Sequence, residues 1–531
     1  MTSKFEYSRS EHDTPLEYDQ YISQMREKEF PMLNGKTYLD HAGTTLYSKS
    51  LIDNFSADLI ANLYGNPHSN STPSVVSGRR VDNVRARTLR FFNADPDHFD
   101  LVFVANATAA IKVVTDAFRD HQNRTSEKFW YGYHRDAHTS LVGVREISKN
   151  LHRCFKSDSE VESWIENSCP TGDGRVGLFA YPGQSNMTGR RLPLSWCQRI
   201  HSDSKRKRVY TLLDAAALAT TAQLDFSDPA ASPDFTALSF YKIFGFPDLG
   251  ALIVRKSSGS ILRQRRYFGG GTVDMVIALD DTWHAKRESL HEALEDGTLP
   301  FHSIIALDIA MATHQQLFGS MGRISSHTAF LIRTLHAAAV EMRHPNGAPL
   351  LAVYNDTAAV YGNAATQGAT LAFNVLRTNG SVIGYGEVER AADTQGVFVR
   401  SGGLCNPGGV ATHLAFSAKE MRAAYAAGHR CSQPHEIMMG RPTGVVRASL
   451  GAMSTLQDVT RLIEFLREEF TGITSSAECA SEGSVTEVEQ KVIGLTVKVE
   501  EAVKSQVLSK AKRWTRKMGR LVGPRNTTVV V

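Results

Sequence analysis

The stretch SFYKIFGFPDLGALIV at 239–254 constrains this chain more than any other. An apolar run at 235–240 breaks at Lys242, turns through Gly245, Pro247 and Gly250, and resumes as a second apolar run. A lysine set between two buried strands lies in a medium that disfavours its charge. Desolvation drives such an amine towards its neutral form, which can attack an aldehyde cofactor. A hairpin lysine can also carry its head to water along its own methylenes. This stretch alone leaves both readings open.

The neighbouring segments supply context. Apolar runs at 101–105, 129–133, 176–182 and 209–214 read as buried strands. Helical patterns lie between them: one carries Ile111, Val114 and Phe118 on a single face, and another starts near Ser140. Such alternation from about 100 to 255 predicts an α/β fold, a mostly parallel sheet covered by helices. Ligands of such sheets sit beyond the carboxyl ends of the strands. Asn106, Thr108, His138, Asn186, Asp214 and Lys242 all fall at strand ends or in the loops that follow. Thr108 opens a helix, where free backbone amides favour an anion; an ordinary N-cap threonine is the other reading.

Elsewhere the pattern predicts a helix over 16–30 ending at Pro31, a short strand from Thr37, and helices over 74–92 and 301–318. A second, α+β region follows, with a strand-like run at 368–376, a glycine-rich loop at 400–408, a strand at 445–450 and a last helix over 455–470. Four segments result: a lead-in at 1–34, a large domain at 35–325, a small C-terminal domain with a cysteine loop at 326–472, and a linker with a basic tail at 473–531.

With 42% hydrophobic and 21% charged residues, the 531-residue chain can bury more than one core. Six cysteines without a CxxC pair suit a reducing compartment. No apolar run approaches the roughly 18 residues of a membrane-spanning helix, and the polar N-terminus lacks a signal peptide's apolar centre, so a cytoplasmic enzyme is expected. From Ala502 onward there are eight basic residues and no acid, which leaves 51 basic against 55 acidic elsewhere. The tail reads as a solvated end or a contact for an anionic partner. No nucleic-acid-binding fingerprint and no metal site are read.

Nine blocks, in order, resemble the fold-type I pyridoxal 5'-phosphate enzymes of the aminotransferase class V group: YLDHAGTT at 38–45, GNPHS at 65–69, NATAAIK at 106–112, HTSLVGVRE at 138–146, FAYPGQSNMTGRRLPL at 179–194, SFYKIFGFPDLGALIV at 239–254, FGGGTV at 268–273, EDGTLPFHSI at 295–304 and RSGGLCNPGG at 400–409. Within that group they look like the cysteine desulfurases, and most of all the NifS-like part of the molybdenum cofactor sulfurase family. The resemblance implies that Lys242 is the Schiff-base lysine and proton shuttle, and that Asp214 faces the pyridine nitrogen, keeping the ring an electron sink. It implies that His138 stacks on the ring, and that Thr108, Ser239 and nearby amides such as that of Ala109 hold the phosphate. Thr272 would reach a neighbouring subunit's phosphate, so a homodimer is implied. Asn186 would lie near the cofactor's phenolic oxygen and the substrate, Arg447 would clamp the substrate carboxylate, and Arg400 would lie beside the cysteine loop.

Cys405 is the implied nucleophile, taking sulfur from L-cysteine as a persulfide and releasing alanine, with Arg400 or loop amides favouring its thiolate. Gly402, Gly403, Pro407 and Gly408 argue for a mobile, exposed loop around it. Cys154, Cys169, Cys197, Cys431 and Cys479 have no such setting and read as structural. Tyr241 stands where many desulfurases have a histidine, Ala217 where a glutamine is common, and Gly403 where a cysteine is common. No counterpart of the family's cofactor-binding C-terminal region opens after residue 472. The resemblance thus implies persulfide formation and leaves the sulfur acceptor, molybdenum cofactor in the family, unassigned here. A pyridoxal phosphate C–S lyase acting on a related amino acid is the alternative enzyme; a non-catalytic protein that merely keeps the fold would not need Lys242, Asp214 and His138.

Overall fold

The computed structural model describes residues 14–167, 175–203 and 208–473. The linker at 475–484, the basic tail, Cys169 and Cys479 lie outside the described residues.

Seven strands build the central sheet: β1 (Phe99–Val104), β2 (Trp130–His134), β3 (His152–Phe155), β4 (Gly177–Pro182), β5 (Val209–Asp214), β6 (Phe235–Ser239) and β7 (Gly250–Arg255). Their order is β1-β7-β6-β5-β4-β2-β3. Only β7 runs against its neighbours, and the remaining pairings are parallel. Successive side chains of a strand point to opposite faces. Accordingly Leu101, Phe103, Phe179, Tyr181, Leu213 and Ile253 enter one core. Val102, Leu178, Ala180, Leu212, Ala237 and Leu252 enter the other. Burial on both faces explains why these strands read as unbroken apolar runs rather than alternating ones.

Helix α1 (Thr72–Phe91) and helix α3 (Phe301–Phe318) cover the first face through Val81, Val84, Leu89, Ile304, Leu307 and Met311. Helix α2 (Ala107–Thr125) covers the second through Ile111, Val114 and Phe118. The helix expected from Ser140 is a single α turn, Thr139–Val142, continued as a 3-10 segment, Gly143–Ser148. Gly143 weakens an α-helical interior, and two successive left-handed residues, Lys149 (φ 51°) and Asn150 (φ 71°), end the segment.

A second sheet is antiparallel and four-stranded. It orders Leu351–Tyr354, Thr370–Val375, Val445–Ser449 and Arg400–Gly402 side by side. Helix α4 (Met321–Glu341) and helix α5 (Leu456–Phe470) pack on it through Leu331, Leu335, Leu462 and Phe465. Residues near the N-terminus also join this layer. Thr37–Tyr38 pairs in parallel with Val397–Phe398, and Asp40 bridges to Ser449.

Between α1 and the start of α3, Glu295 receives both guanidinium nitrogens of Arg85 at 2.6 and 2.9 Å and the amide of Phe103 at 2.7 Å. Both side chains are buried. Removing one partner strands a charge in the interior, at a cost of roughly 3–5 kcal/mol. Glu295→Ala is therefore expected to lower the urea-unfolding free energy by about that amount, and Glu295→Ala combined with Arg85→Met to recover a large part of it.

Candidate active site

Parallel strands deliver their carboxyl ends to one edge of the sheet, and the residues that follow converge there. Asn106 follows β1, Asp136 and His138 follow β2, Gln184 and Asn186 follow β4, Asp214 ends β5, and Ser239 ends β6. All of these line one cavity of about 180 Å³, together with Lys242, Arg400, Cys405 and Arg447. Gly250 opens β7 at the same edge. A Cβ there would lie 2.5 Å from Asn106 Cα, so only glycine allows the strand to close on the start of α2.

Lys242 sits in the one-turn helix Tyr241–Phe244 between the antiparallel β6 and β7. Burial pushes its pKa below the usual lysine value. Asp214 opposes that shift, and the positive charge of Arg447 adds to it. Lys242 is half-buried and lines the cavity, so of the two readings left open by the hairpin the desolvated amine fits the structure better than the snorkelling one. His138 is likewise pushed down, first by burial and then by Lys242, against Asp214. Its Nδ1 accepts from the Ser140 amide at 3.2 Å, so the neutral ring carries its proton on Nε2.

At the start of α2 the cap is Asn106, whose side chain accepts from Ala109 N at 3.1 Å. Thr108 is thus not the N-cap. Its hydroxyl meets that of Ser140 at 2.8 Å on the cavity wall, and Ser239 Oγ accepts from Ala107 N at 3.0 Å. Ala109 does not line the cavity, because its amide turns inward to the cap.

Arg447 is buried. It donates from Nη1 to Asn186 O at 2.8 Å and from Nη2 to Asp40 Oδ1 at 2.5 Å. Burial lowers its pKa and Asp40 supports its charge. Arg400 pairs across the strands with Arg447 and lies 3.8 Å from the other oxygen of Asp40. Two like charges set opposite each other repel, and Asp40 offsets this.

Cys405 is exposed at the mouth of the cavity. The mobile loop expected from its glycines is anchored instead. Leu404 is buried among Met187, Val410, Leu414 and Val445. Its carbonyl accepts from Asn186 Nδ2 at 2.7 Å, and Cys405 O accepts from Thr139 N at 3.0 Å. The helix after the loop, Pro407–His413, packs so close to Arg135 that a Cβ on Gly408 would lie 2.1 Å from the Arg135 carbonyl oxygen.

Thr272 stands apart from the cavity. It is buried, and its hydroxyl donates to Gly269 O at 2.8 Å. Cys154 is half-buried, Cys197 is buried and Cys431 is exposed; none of the three lines the cavity. Sequence reasoning missed Asp40, Asp136 and Asn406, although each stands within or two residues before a quoted block. Asp136 is buried and held by Arg190 at 3.3 Å, and Arg190 also pairs with Asp158 and Asp356.

The donor set fits pyridoxal 5'-phosphate. A desolvated amine suits its aldehyde, a carboxylate its pyridine nitrogen, an imidazole its ring face, and hydroxyls at a helix N-terminus its phosphate. Among the described residues, no cluster of His, Cys, Asp or Glu is arranged for a metal ion, and no helix is long and apolar enough to cross a membrane.

Comparison with known proteins agrees with this geometry. A molybdenum cofactor sulfurase of Aspergillus clavatus is 56% identical over 464 residues, covering 87% of this chain and 54% of that protein. The chain thus spans about half the length of the curated relatives it matches. Among solved structures, the apo cysteine desulfurase of Thermococcus onnurineus NA1 superposes with a TM-score of 0.64 at 18% identity, over 85% of this chain and 98% of that one. A cystine C–S lyase, C-DES, superposes with a TM-score of 0.58 at 15% identity, over 83% of this chain and 100% of that one. The fold is that of the fold-type I enzymes. The aminotransferase class-V pattern matches residues 37–418, and the chain belongs to that family.

Proposed function

We propose that this chain is a pyridoxal phosphate-dependent cysteine desulfurase-like sulfurtransferase. The observation that carries the reading is one cavity shared by a half-buried lysine, Lys242, an exposed thiol, Cys405, and a buried arginine, Arg447. A lyase needs the lysine alone; the thiol at the cavity mouth supplies a nucleophile for sulfur. The molybdenum cofactor sulfurases that the chain resembles support the same class by name.

When bound, the cofactor supplies an electron sink for the substrate's α-carbon. Arg447 holds the substrate carboxylate, with Arg400 beside it, through paired charge-assisted donors. Lys242 Nζ, whose charged form burial disfavours, takes the α-proton and returns it. Asp214 would hold the pyridine nitrogen protonated, and His138 would support the ring. Thr108, Ser140 and Ser239 offer hydroxyls to the phosphate. Cys405 Sγ attacks the sulfur of L-cysteine. A sulfur–sulfur bond forms as the carbon–sulfur bond breaks, and the electron pair left on the β-carbon is protonated to give alanine. The Cys405 sulfur and the substrate's sulfur are together oxidised, the β-carbon is reduced by the same electrons, and no outside oxidant is required.

The sulfur acceptor is proposed to be the one in the relatives' name, molybdenum cofactor. A homodimer is proposed from the exposed apolar side chains Met275, Val276, Leu279 and Trp283, which follow the buried Thr272.

Purified protein is expected to release alanine from L-cysteine in the presence of a thiol reductant, with matching sulfide. Cys405→Ala should lose at least about a hundredfold of this activity, the scale set by removal of a nucleophile. Pyruvate as the product, or full activity in Cys405→Ala, would sink the reading in favour of C–S lysis.

Because the pKa of Lys242 is lowered, its reactive neutral form is present at a lower pH than that of free lysine. Incorporation of pyridoxal phosphate into cofactor-free protein, followed by absorbance, should therefore have its pH midpoint below 10.5. Asp214→Asn removes the charge that holds this pKa up and should move the profile lower still. Borohydride reduction and peptide mapping should place the cofactor on Lys242.

A further inference from the structure

We infer that Asn406 is a positioning residue for the Cys405 thiol, clamping the cysteine turn to the opposite wall of the cavity; the task assigned to that thiol rests on the desulfurase reading. Leu404 and Cys405 both adopt left-handed backbone conformations, with φ of 53° and 54°. Bulky residues leave the left-handed region unless their surroundings hold them there. Asn406 is fully buried beside the exposed cysteine.

Its amide works in two directions. Oδ1 accepts from Gly409 N at 2.9 Å and caps the helix Pro407–His413. Nδ2 faces the strand-end loops of the large sheet: Asn186 Oδ1 at 3.0 Å, Asp136 O at 3.3 Å and Ser185 Oγ at 3.4 Å. Asn186 returns the contact, donating to Leu404 O at 2.7 Å. The two asparagine side chains thereby lock the loop at residues 404 and 406, and the thiol between them stays at the cavity mouth.

Capping alone does not require asparagine, since serine and aspartate cap helices as well. Only an amide of this length offers an acceptor to Gly409 and a donor to the far wall. Aspartate keeps the cap while turning a carboxylate oxygen towards the acceptors Asn186 Oδ1 and Asp136 O. Serine keeps the cap and is too short to reach them.

The test uses the full chain with cofactor bound and compares the native protein with Asn406→Ser and Asn406→Asp. Asn406→Ser should melt within about 2 °C of the native protein, because the cap survives, whereas Asn406→Asp, which buries a carboxylate against acceptors, should melt lower. Amide hydrogen exchange of peptides covering 402–408 should quicken about tenfold, the effect of one or two lost hydrogen bonds. Alanine formation should lose about tenfold in kcat at little-changed KM, as expected for a nucleophile out of place. Alkylation of Cys405 by iodoacetamide, read by mass spectrometry, should hold or rise, since the thiol itself is intact.

Loop exchange and kcat both within twofold of native would overturn the inference, as would faster exchange with unchanged kcat. A fall in the melting temperature of Asn406→Ser with faster exchange throughout the small sheet would assign Asn406 a structural role instead. Absence of turnover by the native chain would sink the desulfurase reading, and the clamp would then stand or fall on exchange and alkylation alone.

Discussion

An amine confined where water is scarce sets the electrostatics of everything around it. Lys242 follows the buried Phe240 and precedes the buried Ile243 and Phe244, so its one-turn helix cannot swing outward without exposing aromatic surface. Its burial favours the neutral form, and the nearby charges adjust how far. Lys242, Arg400 and Arg447 bring formal positive charge to the cavity, while Asp214 and Asp40 bring negative. Asp136 also lines the wall, but Arg190 already neutralises it. With the lysine neutral, the two arginines are matched by the two carboxylates, and the guanidinium of Arg400, exposed and 3.8 Å from Asp40, is the group placed to meet an anionic ligand.

Two sheets must meet for that arrangement to exist, since the arginines and the thiol come from the small one and the lysine from the large one. Asp40 does much to fix how they meet. Its backbone bridges to Ser449, the amide of Ala42 donates to Ser449 Oγ at 2.9 Å, and its carboxylate receives Arg447. Five residues after Asp40, Thr45 N donates to Tyr241 O at 3.3 Å, next to the lysine. A short segment near the N-terminus thus touches the small sheet with one end and the lysine turn with the other. Arg447 is also tied to the large sheet through Asn186 O.

Much of this was legible in sequence, for a physical reason. A sheet buried on both faces writes its strands as apolar runs, and parallel strands place whatever follows them at one edge. Asp214, His138, Asn186 and Lys242 could be assembled on that rule before any coordinates existed. The rule is silent about contacts made across hundreds of residues. Nothing local tells that Asp40 meets Arg447 or that Asn406 reaches Asn186. The choice between Asn106 and Thr108 as helix cap was equally hidden, because both residue types can cap and only the approach of Ser140 engages the threonine hydroxyl. Glycines around Cys405 suggested freedom, yet Gly408 serves close approach, letting a helix press onto Arg135, and the turn is held by hydrogen bonds that composition does not reveal.

If Cys405 carries sulfur as proposed, its placement resolves two opposing demands on that thiol. It must be fixed closely enough to meet a substrate held under Arg447, because a nucleophile displaced by an ångström loses much of its advantage. It must also be open to solvent, or sulfur taken up could not leave. A buried thiol would meet only the first demand, and one on a free loop only the second. This chain separates the two along the backbone. Leu404 and Asn406 are buried and bonded, and the left-handed turn between them leaves the one exposed residue, Cys405, pointing away from both anchors.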